Sequence, residues 1–61
     1  MPEPVFEITK DTAGKFRFRL KAANEEIIAT SEAYNTKQSC EKGIAAVKEN
    51  APKAKTKDIT A

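Results

Sequence analysis

The stretch Phe16-Arg17-Phe18-Arg19-Leu20-Lys21 decides the fold. Apolar and cationic residues alternate through it, and a period of two is the mark of a strand with one buried and one wet face. Phe16, Phe18 and Leu20 take the inner face, and Arg17, Arg19 and Lys21 the outer one. Upstream, Val5 to Lys10 reads as a second strand, with Phe6 and Ile8 on one face and Glu7 and Thr9 on the other. The two apolar faces must coincide, because a slip of one residue sends one set into water. Placing Asp11 opposite Lys15 satisfies this. It leaves Thr12-Ala13-Gly14 as a three-residue hairpin loop, with Gly14 at the left-handed position that glycine tolerates. The same register sets Ile8 against Phe18, Phe6 against Leu20 and Glu7 against Arg19.

Downstream, Glu26 to Thr30 reads as a third strand after a turn at Asn24-Glu25. A two-residue turn there needs positive φ at both positions. Asn24 tolerates this better than Glu25, so strain is expected. This register predicts Ile27 and Ala29 on the core face and Ile28 on the outer face. A helix is then predicted from Thr36 to Glu49. Asn35 or Thr36 can cap it, and Gln38 follows Asn35 at the capping-box distance. Cys40, Gly43, Ile44 and Val47 form its apolar stripe. Gly43 lies in mid-stripe, where it weakens the helix by about 1 kcal/mol; close approach of the helix backbone to the sheet explains it. Asn50 can end the helix and Pro52 prevents its continuation. Ala54 to Ile59 alternates weakly and makes a poor strand alone, but a credible addition to an existing sheet edge.

Composition limits what such a domain can be. The chain has 61 residues, one cysteine and no histidine. Domains of this size bury only about 60% of their unfolded surface. A disulfide within the chain is impossible and a zinc site is not expected, which leaves oligomerisation as the remaining support. Net charge is +2 with 33% charged residues, mild for a dedicated nucleic-acid binder. No apolar run approaches a membrane span. The start, Met1-Pro2-Glu3-Pro4, reads as a short flexible N-terminus without the regions of a signal peptide. A lone thiol suits a reducing cytoplasm.

Several segments resemble a known family: Phe6-Glu7-Ile8 with Lys10-Asp11 and Gly14, then Phe16 through Asn24, Ile27-Ile28-Ala29 and Ser31-Glu32-Ala33-Tyr34. Lys37, Gly43-Ile44, Val47-Lys48 and Asn50-Ala51-Pro52 extend the match. The chain resembles the YegP-like family of small bacterial and archaeal proteins. It departs from the pattern at Glu25 and Ala33, where glycine is common. The resemblance implies one α+β domain over residues 1–61, ordered strand-strand-strand-helix-strand. It also implies a single-copy homodimer whose subunits exchange C-terminal strands into one continuous sheet. It implies no biochemical activity.

Catalytic constellations are missing from the sequence. Without histidine the commonest general acid or base is absent. Cys40 lies on the inner stripe as an inert thiol. Ser31 and Ser39 lack the setting of a nucleophile elbow. Two glycines make no phosphate loop, and the carboxylates show no metal-ligand spacing. An enzyme and a cofactor are therefore not expected. Two surfaces remain as candidates. Arg17, Arg19 and Lys21, with Lys10 and Lys15 near the hairpin tip, form a basic row that could meet phosphates. Against this, Glu7 and Glu26 can neutralise part of it and no aromatic interleaves, so a solvated face with cross-strand ion pairs is the plainer reading. Ser31, Glu32, Tyr34 and Lys37 surround the start of the helix, where an anion can bind. Structural duties explain them equally well: turn bonding for Ser31, a wedge under the helix for Tyr34 and dipole complement for Glu32. The reading that results is a non-enzymatic binding or structural module, homodimeric and cytoplasmic. An unidentified protein partner is possible, nucleic acid is a secondary expectation, and no membrane partner is expected.

Overall fold

The computed structural model describes residues 2–60; Met1 and Ala61, the ends of the expected domain, lie outside the described residues. Three antiparallel strands, β1 (Val5–Lys10), β2 (Phe16–Lys21) and β3 (Ile27–Thr30), form one sheet in the order β1-β2-β3. One helix, α1 (Lys37–Asn50), follows and packs on the Phe18 face; a 3-10 turn, Ala51–Lys53, closes it.

The first hairpin has the register the alternation predicts: Phe6 opposite Leu20, Glu7 opposite Arg19 and Ile8 opposite Phe18. Its loop is held by the Asp11 N–H donating to the Lys15 carbonyl (2.9 Å) and the Gly14 N–H to the Asp11 carbonyl (3.0 Å). Gly14 has φ +81°. The Asp11 carboxylate accepts from the Ala13 and Lys15 amides, both at 2.9 Å, which closes the loop from inside.

The second hairpin departs from expectation. It is not a two-residue turn but a repeat of the first loop, over Ala23-Asn24-Glu25. The Ala22 N–H donates to the Glu26 carbonyl and the Glu25 N–H to the Ala22 carbonyl, each at 2.8 Å. Only Glu25 has positive φ, 70°, so it occupies the position Gly14 holds in the first loop. The register then shifts: Leu20 faces Ala29 but Lys21 faces Ile27, leaving Ile28 as an extra, bulged residue. A bulge twists its strand locally. Ile27 is not the core residue the alternation predicts; it is 49% exposed, and Ile28 is 59% exposed.

Beyond β3 the chain stays beside β2. The Ser31 amide donates to the Phe18 carbonyl (2.9 Å), and the Phe18 amide donates to the Ser31 Oγ (2.9 Å). Phe16 and Tyr34 exchange both backbone bonds, at 2.8 and 2.7 Å. Thr36 caps α1, its Oγ1 accepting from the Ser39 amide at 3.1 Å. The cap therefore reaches Ser39 and not Gln38. Asn50 donates back to the Ala46 carbonyl at the helix end (2.8 Å).

The core is narrow. Phe18 and Cys40 are its buried apolar side chains among the described residues. Phe6 meets Phe18 edge-on at 5.9 Å, and Tyr34 stacks on Phe18 at 6.3 Å. Gly43 is where the helix comes down on these rings, as its mid-stripe position predicts: a Cβ there would lie 3.1 Å from the Phe18 ring. Residues 54–60 are exposed and pair with no strand of their own chain, so the predicted final strand is not formed within the monomer.

Candidate functional site

The outer face of β2 carries the basic row, and a carboxylate accompanies each member. Arg19 Nε donates to Glu7 Oε1 at 2.7 Å, the cross-strand pair the register predicts. Lys21 Nζ lies 3.7 Å from the other Glu7 oxygen and 4.0 Å from Glu25. Arg17 Nε reaches Asp11 Oδ2 at 3.3 Å. Glu7 is held below the ordinary carboxylate range chiefly by its bond from Arg19, with Lys21 adding attraction. Asp11 is lowered mainly by the Lys15 amide, then by Arg17 and the Ala13 amide. Sequence reasoning found Glu7 but missed Asp11 and Glu25 as partners. Both sit in loops, whose shape strand periodicity does not report.

Lys10 and Lys15 are not part of this row. Lys10 faces Phe16 across the hairpin and holds its ammonium 5.5 Å from that ring. Lys15 donates to the Asn35 side-chain oxygen, tying the first loop to the start of the helix.

The residues around the helix start are brought together by the Ser31–Tyr34 segment, but their polar groups do not converge. The Ser31 hydroxyl accepts from Phe18 and donates its proton to the Glu32 carbonyl (2.7 Å), so it has no proton left to donate to an anion. Tyr34 lies half-buried under the helix, against Phe18 and Gly43, as the wedge expected. Glu32 is exposed and outside the first turn of α1, which contains no acid; it is not the dipole complement expected. Lys37 is the first residue of the helix and is exposed.

Cys40 is fully buried, and burial pushes its thiol above the ordinary value. That disfavours the thiolate a nucleophile requires. Among the described residues, no three His, Cys, Asp or Glu side chains cluster to hold a metal ion. Nor, among the described residues, is any helix long and apolar enough to cross a membrane.

The sequence reading also missed a groove of about 330 Å³ beside β1, which is an edge strand. Phe6, Ile8, Ile44 and Ala45 give it an apolar lining, with exposed Glu41 and Lys48 completing it. Lys48 holds its ammonium 5.7 Å from the Phe6 ring.

Comparison with known proteins agrees with this architecture. A family model described as a domain of unknown function (DUF1508) matches residues 11–58. A UPF0339 protein of Treponema denticola is 54% identical over 54 residues, covering 88% of this chain and 93% of the relative. The chain belongs to the UPF0339, or YegP-like, family. It is a single-repeat member: UPF0339 protein YegP of Escherichia coli K12 is 55% identical over 47 residues, which span 77% of this chain but 43% of YegP. The solution structure of a protein from Haloferax volcanii superposes with a TM-score of 0.85 at 41% identity, covering 95% of this chain and 98% of the other.

Proposed function

We propose that this UPF0339 chain is a non-enzymatic binding or structural module, one domain acting in the cytoplasm as a homodimer. In this reading the C-terminal segment of each copy adds as a strand to the sheet of the other. One mismatch carries it. Ile59 is 80% exposed on a segment without a strand partner, while the β1 edge lies open beside an apolar groove. Strand addition satisfies backbone groups on both sides, and alternate side chains fill adjoining pockets. A second copy would also enlarge a core that, among the described residues, holds two buried apolar side chains.

Sedimentation equilibrium at micromolar concentration tests the assembly; a single species near 6.7 kDa overturns it. Isotope-filtered NOE spectra on mixed labelled and unlabelled protein test the docking. Contacts between Ile59 methyls and Phe6 or Ile44 of the other copy support it. The same contacts within one chain overturn the exchange.

A second reading, anion or nucleic-acid binding by Arg17, Arg19 and Lys21, is weaker, because carboxylates lie within 4.0 Å of each. For Ser31, Tyr34 and the neighbouring Glu32 and Lys37 we favour a structural role in seating the helix.

A further inference from the structure

Most of the positive charge left after pairing lies outside the sheet. Up to residue 36 the chain has five cations and six carboxylates; from residue 37 onward, six lysines face three carboxylates. Arg17, Arg19 and Lys21 have carboxylate partners, whereas none of those six lysines makes an ion pair among the described residues. Half of them lie close together. Lys53 ends the 3-10 turn, and Lys55 and Lys57 follow on a fully exposed segment that leaves Ala54 extended (φ −73°, ψ 132°). The neighbouring acid, Asp58, is occupied by its own backbone: it accepts from the Thr60 N–H at 2.9 Å and the Thr60 hydroxyl at 2.6 Å.

Lys53 closes the 3-10 turn and Lys55 and Lys57 follow it, so three exposed cations lie within five residues. One strand of duplex DNA advances about 3.4 Å per phosphate, so cations this close together can meet neighbouring phosphates of one strand. The segment has no aromatic residue to stack on bases, which points to the phosphate backbone and not to base readout. Ile59 is its single bulky apolar group, too little to seat it in lipid.

We propose that Lys53, Lys55 and Lys57 form a strip that binds the phosphate backbone of nucleic acid without sequence preference. The experiment is anisotropy of a short labelled mixed-sequence DNA duplex titrated with the intact protein over a salt series. Wild type should bind with Kd on the order of 10⁻⁵ M at low salt, weakening steeply as salt rises. The triple variant K53Q/K55Q/K57Q should lose most of this affinity, its log–log salt slope flattening by roughly 0.9 per lysine. K53R/K55R/K57R should bind like wild type, and R17Q/R19Q/K21Q should keep the wild-type slope. Sedimentation of each variant establishes that its assembly state is unchanged. No wild-type binding at low salt overturns the proposal. So does equal binding by the glutamine variant, or binding to phosphatidylserine vesicles in place of the duplex.

Discussion

A methyl group on Gly43 would lie 2.5 Å from the Tyr34 hydroxyl oxygen and 2.9 Å from the ring carbon that bears it. The ring cannot simply retreat, because one face stacks on Phe18, itself 3.1 Å from the same point. Gly43→Ala should therefore destabilise by about 1–3 kcal/mol, the usual cost of overpacking. Helix propensity alone argues the other way, by about 1 kcal/mol. Urea unfolding of both proteins at equal concentration decides the sign.

Glu25→Gly should stabilise. A side chain in the left-handed region costs roughly 1–2 kcal/mol, and glycine removes that cost. The Lys21–Glu25 ion pair that glycine also removes is long and exposed, so it contributes little. Glu25→Ala keeps the strained backbone and should gain almost nothing. A rise in the denaturation midpoint confined to the glycine variant is the expected result.

Ser31→Ala should cost about 1–3 kcal/mol, since it strips a part-buried amide, that of Phe18, of its acceptor. Ser31→Thr restores an oxygen and should recover part of the loss. Thermal melts of the three proteins check this.

The acid limb of stability should depend on Glu7 and Asp11. Both carboxyls are lowered from ordinary values of 4.5 and 3.8, so the folded chain holds their protons less tightly than the unfolded one. Their contribution is present above those ordinary values and fades as pH falls through the lowered ones. Glu7→Gln should flatten the fall in stability below pH 4.5 and leave the slope near neutrality unchanged. Chemical unfolding across that range tests the sign.

Removing the residues after Lys53 should abolish dimerisation and lower the melting temperature, if the C-terminal segment pairs with the other copy. Sedimentation and melting of the shortened chain measure both. A dimer that melts as before rules the pairing out.

Much of the fold was legible because two periodicities were clean. The alternation in Phe16–Lys21, with Gly14 at one position of a three-residue loop, admits a single register for β1 and β2, and that register is observed. The helix stripe likewise placed Cys40 inside and Gly43 at the closest approach. Legibility failed where the backbone departs from a period. The bulge at Ile28 inserts one residue, and a side-chain pattern of four exposed residues cannot register it. Glu25 hid the second three-residue loop, because the glycine that would reveal it is absent. The candidate basic row was visible residue by residue, but two of its counterions sit in loops. The groove beside β1 draws on two elements distant in sequence, and no local pattern reports it.

The Ser31–Tyr34 segment gives β2 a neighbour along its whole length, even where β3 has ended. Amides of β2 are bonded to β1 on one side and to β3, Ser31 or Tyr34 on the other. Exchange of these protons with solvent then requires the entire sheet to come apart, whereas in a single copy the outward amides of β1 and β3 exchange through local fraying. The protein has one slow-exchanging spine at its centre and two edges that remain chemically open, so rigidity and availability for pairing are divided between adjacent strands.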